Sequence, residues 1–193
     1  MKIDPKFIVK VAGTLTVIAL VTALLLGLVD GVTRGPIAAI EAEKTRVAMS
    51  AVAPAGSEFT DKMELPQAAV EAAAAQGGKL MELYGVKAGG YVMKISASGS
   101  QGTIVMMVGT DANNAITGIS VVSHAETSGI GTKVCGNELN DAGVPVLDQF
   151  IGLSGSGTLV VKKNIVPITT ATVSTKGITA GANAALAAAE ALG

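Results

Sequence analysis

Residues 11–29 contain no charged side chain, and only Gly13, Thr14, Thr16, Thr22 and Gly27 interrupt a run of aliphatic and alanine residues. At about 1.5 Å of rise per residue such a helix spans roughly 28 Å, close to the ~30 Å hydrocarbon core of a bilayer. The run therefore predicts a transmembrane helix. A secretory signal has an apolar region of about 7–15 residues and a small-residue cleavage site; no such site directly follows Val29, so the run reads as an uncleaved anchor. Lys2, Lys6 and Lys10 precede it, whereas Arg34 is the only basic residue in residues 30–41. That asymmetry predicts a cytoplasmic amino terminus over residues 1–10, with everything after residue 29 on the other side.

Beyond the anchor the composition changes twice. Residues 30–36 carry Gly31, Gly35 and Pro36 and predict a linker. Helical spacing of Ile37, Ile40, Val47 and Ala51, with charges between them, then predicts a helix over 37–53. Residues 67–76, with a run of alanines closed by Gly77 and Gly78, predict a second short helix, and residues 30–78 together read as a linker and helical stalk. From residue 79 the period becomes two. Strands are predicted at 80–86, 91–97, 103–108 and 115–123, joined by glycine and Asx turns, with a last strand at 158–162. A helix over 175–192, with Ser174 as its N-cap, completes an α+β domain at 79–193: an antiparallel sheet with a packed C-terminal helix.

A net charge of −1 gives no field for nucleic acid, and the chain has no Trp for a stacking platform. Cys135 is the single cysteine, so no intramolecular disulfide forms; His124 is the single histidine, and no carboxylate or thiol near it has metal-ligand spacing. Two segments concentrate functional groups. The first, Ile168-Thr169-Thr170-Ala171-Thr172-Val173-Ser174-Thr175-Lys176-Gly177-Ile178-Thr179, sets five Thr and one Ser against the start of a helix. Hydroxyls there lie beside the unpaired N–H groups and the positive dipole end that favour a phosphate. Lys176 adds a candidate phosphate contact. The second, His124-Ala125-Glu126-Thr127-Ser128-Gly129-Ile130-Gly131, follows a predicted strand; Gly129 and Gly131 permit close approach to a flat ligand, and Glu126 and Thr127 offer hydrogen bonds.

Together these segments resemble the FMN-binding domain shared by the G subunit of Rnf-type ferredoxin:NAD oxidoreductases and the C subunit of sodium-pumping NADH:quinone reductases. The family pairs His-x-Glu-Thr-x-Gly-x-Gly, matched by His124, Glu126, Thr127, Gly129 and Gly131, with a later Ser/Thr-Gly-Ala-Ser/Thr. Thr169, Thr170, Ala171 and Thr172 take that second place, with Thr170 standing where the family has Gly and residues 165–167 lacking the family's Asp. The likeness covers roughly residues 85–180 and is stronger toward the Rnf-type protein, since the chain is short for the quinone reductase one. It implies FMN joined to Thr172 by a phosphoester, with Thr169, Thr170, Ala171, Val173, Ser174 and Lys176 around it. It further implies an electron-carrying component of an ion-translocating complex in a bacterial or archaeal cell membrane, iron–sulfur and flavin subunits as partners, and a flavin transferase for maturation. A different reading of the same domain is an anchored, non-redox binding or scaffold protein without flavin.

Overall fold

The computed structural model describes residues 5–54 and 56–193; residues 1–4 of the expected amino-terminal tail lie outside it. Helix α1 runs from Pro5 to Val52. It contains a stretch of mean hydropathy 2.4 with none of that stretch buried in the protein. Thr14, Thr16 and Thr22 donate their hydroxyls back to the carbonyls of Lys10, Ala12 and Ile18 at 2.8–2.9 Å. In a medium without water, polar groups must be satisfied within the helix in this way.

The helix does not break at residues 30–36, where a linker is expected. Pro36 lies inside it, Arg34 pairs with Asp30 at 2.6 Å across one turn, and the Thr33 hydroxyl bonds the Val29 carbonyl at 2.9 Å. An interior proline costs about 3 kcal/mol, several times the ~0.3–0.5 kcal/mol that an exposed i,i+4 pair returns, so this is locally the weakest stretch of α1.

By its contacts the chain divides into two units, Met1–Glu43 and Lys44–Gly193. The second is built on an antiparallel meander of five strands in the order β1 (Phe59–Lys62), β2 (Gly78–Val86), β3 (Tyr91–Ser98), β4 (Thr103–Thr110) and β5 (Ile116–His124). Period-two alternation sends Met93, Ile95 and Ala97 of β3 and Ile104, Met106 and Val108 of β4 to one face. Val92 and Met107 point to the other, where they meet Ala48 and Val52 from the end of α1. On the first face lies α4 (Thr172–Leu192), with α2 (Gln67–Ala75) packed beside it. Ile178 and Leu186 of α4 are fully buried, each stabilising the fold by roughly 1.5–3 kcal/mol. Small residues let the helix come close: a Cβ on Gly177 would stand 2.6 Å from the Ser98 carbonyl oxygen.

Four further expectations need correcting. The stalk does not extend to residue 78, because Ala69 and Ala73 of α2 join the main core and Ala48 and Val52 cover the opposite sheet face. β1 is an additional edge strand; Phe59-Thr60-Asp61-Lys62 is too short and polar to show a period. Residues 158–162 form a loop with a single bridge between Val161 and Ile165. There Lys162 adopts φ +69, Asn164 accepts the Val160 N–H at 2.7 Å, and Asn183 of α4 clasps both backbone groups of Leu159. Finally, α4 starts at Thr172, its N-cap is Ala171 without a side-chain bond, and Ser174 is a buried residue of the first turn.

Candidate functional site

Glu126 is the centre from which the site is built. It leaves the end of β5 and turns inward, only 8% exposed. One carboxylate oxygen accepts the backbone N–H of Ser100 at 2.7 Å and of Gln101 at 3.2 Å, both in the β3–β4 turn. The other accepts the Ser174 hydroxyl from the first turn of α4. Burial alone would raise this carboxyl's pKa. The bonds from Ser174, Gln101 and Ser100, with the nearby His124, outweigh that effect and hold it below the ordinary carboxylate value. The two segments singled out in the sequence are thus joined by a direct side-chain bond between residues 48 apart.

The loop around Glu126 is closed by its own backbone. His124 Nδ1 accepts the Glu126 N–H at 3.3 Å. The Thr127 carbonyl accepts N–H groups from Ile130 and Thr132; the Thr127 side chain is exposed. Gly129 has φ +75 and gives its N–H to Thr132 Oγ1 at 2.9 Å. Gly131 opens α3 (Gly131–Cys135), wedged so closely that an added Cβ would lie 2.7 Å from Glu126 Cβ and 2.9 Å from Ser174 Oγ. Only glycine fits between the two segments. Cys135 is half-buried, and burial followed by the Glu126 charge pushes its thiol up to about 11, which makes it a poor nucleophile.

The hydroxyls of the threonine-rich segment are not equivalent. Those of Thr175 and Thr179 are buried and bond back to the Ala171 and Thr175 carbonyls at 3.0 and 2.8 Å. Ser174 is committed to Glu126, and the Thr169 hydroxyl to the Asp141 carboxylate. Thr172 is partly exposed at the first residue of α4, with its hydroxyl on the Thr169 carbonyl at 3.2 Å. Ala171 is buried, Val173 is 55% exposed, and Lys176 is exposed one turn beyond Thr172. Thr169–Ala171 forms a 3-10 turn. Thr170 is not among the positive-φ residues, so the backbone here does not require the family's glycine.

The start of α4 suits an anionic group. Helix α4 is 21 residues long, has no acidic residue in its first turn and no side-chain cap, which leaves its positive end, worth roughly half an elementary charge, uncompensated within the helix. Sequence reasoning missed Asp141, which accepts the Thr169 N–H at 3.1 Å as well as its hydroxyl. Asn140-Asp141-Ala142-Gly143 signals a turn but carries nothing about the segment that turn touches.

Residues 99–187 match the FMN-binding domain family. The G subunit of the Na(+)-translocating ferredoxin:NAD(+) oxidoreductase complex of Acetobacterium woodii is 31% identical over 95% of this chain and 92% of its own length. The chain belongs to the G-subunit family of FMN-binding-domain proteins. The G subunit of the ion-translocating oxidoreductase complex of Methanosarcina acetivorans is 28% identical over 91% of this chain and 90% of its own, and that of Cereibacter sphaeroides 30% over 74% of each. The FMN-binding match takes in both the Glu126 loop and the Thr172 segment.

Proposed function

We propose that this G-subunit family member is a membrane-anchored electron carrier of an ion-translocating ferredoxin:NAD oxidoreductase complex, with FMN esterified to Thr172. The observation that carries the reading is the Glu126–Ser174 hydrogen bond, which brings the glycine-flanked loop and the hydroxyl segment to one place. FMN, when bound, supplies reversible one- and two-electron chemistry. The chain's own work is to hold it. Thr172 offers a partly exposed hydroxyl at the first residue of α4, and Lys176 and the helix terminus stabilise the phosphate charge. Glu126 has its oxygens occupied by Ser100, Gln101 and Ser174, so it acts as the staple of the cradle rather than as a donor set for the ring. His124 orients that staple by accepting its N–H. Thr127, Gly129 and Gly131 form the adjoining wall, with Thr169, Thr170 and Val173 around the attachment point.

The names of the relatives support membership in an oxidoreductase complex with other subunits, the apolar α1 supports a single-pass anchor, and Lys2, Lys6 and Lys10 ahead of it, against Arg34 alone in residues 30–41, support a cytoplasmic amino terminus. Coexpression with a flavin transferase tests the attachment: the denatured wild-type band should fluoresce, Cys135→Ser should fluoresce equally, and Thr172→Ala should be dark. A fluorescent Thr172→Ala band would move the ester to another hydroxyl. For topology, a cysteine placed at exposed Ser154 in a Cys135→Ser background should react with an impermeant maleimide added to whole cells; protection until lysis would invert the orientation.

A further inference from the structure

The 3-10 turn that presents Thr172 has no cap of its own: Ile168 precedes it and supplies no side-chain hydrogen bond. Its first residue is instead held from 28 positions away. Asp141 accepts both the N–H of Thr169, at 3.1 Å, and the Thr169 hydroxyl, while its own N–H bonds the Pro167 carbonyl at 3.2 Å. The loop that delivers it is itself built. Buried Asn140 accepts the N–H groups of Ala142 at 3.0 Å and Val144 at 3.1 Å, Gly143 takes φ +77, and a bridge pairs Leu139 with Pro145. The Thr169 carbonyl then accepts the Thr172 hydroxyl at 3.2 Å. A continuous relay therefore runs from the Asn140 turn through Asp141 and Thr169 to the oxygen that would be esterified.

We infer that Asp141 is a positioning residue for flavin attachment, fixing Thr169, whose carbonyl holds the Thr172 hydroxyl, so that the Thr172 oxygen is set for an incoming phosphoryl donor. The inference rests on the attachment reading above. In that step the Thr172 Oγ–P bond forms and the P–O bond of the pyrophosphate in a flavin dinucleotide donor breaks. The hydroxyl proton leaves with the released nucleoside monophosphate. Asp141 touches none of these atoms. The attraction of its carboxylate for the Thr169 donors keeps its pKa below the ordinary value, so it acts as an acceptor throughout the neutral range.

The test follows initial rates of covalent flavin incorporation into the full-length protein, given flavin transferase and flavin dinucleotide, beside the melting temperature of each variant. Asp141→Ala should slow incorporation about ten- to a hundredfold, the cost of a slightly misaimed nucleophile. Asp141→Asn, which keeps an acceptor for the Thr169 N–H, should recover most of the rate. Thr169→Val removes only the hydroxyl partner and should fall between, and combining it with Asp141→Ala should be no slower than Asp141→Ala alone. Incorporation at the wild-type rate in both Asp141→Ala and Thr169→Val overturns the inference, as does a loss that tracks only the fall in melting temperature. Should Asp141→Ala fail to fold, the Thr169→Val rate decides, and a wild-type rate there overturns the inference. No incorporation into the wild-type chain overturns the attachment reading itself, and the inference with it.

Discussion

Helices α1 and α4 are both long, apolar and interrupted by Gly and Thr, yet the apolar stretch of one is exposed and the other is largely buried. In α1 the large side chains Leu20, Leu24, Leu25, Leu26 and Leu28 are all more than half exposed, and a Cβ on Gly13, Gly27, Gly31 or Gly35 would meet nothing within 4 Å. In α4 alanines and glycines predominate, fourteen of its residues are buried, and its glycines stand against backbone or core side chains. Residue size, more than hydropathy, separates them. Large aliphatic groups around α1 suit a lipid surrounding, whereas a helix that lies on a sheet within the protein needs small ones to approach it.

The sharpest way to break this comparison is to enlarge matching glycines in the two helices. Gly177→Val should overpack the contact with the Ser98 carbonyl and cost about 1–3 kcal/mol or more, seen as a large fall in the melting temperature of the flavin domain. Gly27→Leu should leave that temperature unchanged. Equal effects would mean that α1 is packed inside protein and not against lipid.

A comparable effect is expected at the seam. Glu126→Ala strands the Ser100 and Gln101 N–H groups and the Ser174 hydroxyl and should destabilise by about 2–3 kcal/mol, with Glu126→Gln milder. The seam should also respond to acid. Because the folded pKa of Glu126 lies below its ordinary value of 4.5, its stabilisation is complete above that value and is lost as pH falls through it and toward the folded pKa. The acid limb of the wild-type stability curve should therefore flatten in Glu126→Gln; an unchanged limb would place the acid sensitivity elsewhere.

Much of this architecture was legible because local signals agreed with the fold. Strands β2 to β5 are rich in apolar and β-branched residues and bounded by turn residues, and α4 shows its helical face. The uncharged 11–29 run carries its own length argument. What was illegible depended on partners remote in the chain. Residues 44–52 read as part of a stalk because nothing local indicates that Ala48 and Val52 cover a sheet formed later. Ser174 has the chemistry of an N-cap, but a carboxylate 48 residues upstream draws it inward. Glu126 and Thr172 could be named from a pattern, while Asp141 could not, since its role comes wholly from the loop that Asn140 folds.

Order of assembly follows from the position of Glu126. Its bonds reach the β3–β4 turn and the first turn of the last helix in the chain. A polypeptide still emerging, or cut short before residue 174, has no closed seam and no presented Thr172. A cofactor fixed there after translation would accordingly mark molecules whose carboxyl-terminal end has already docked, so that colour would report completed folding.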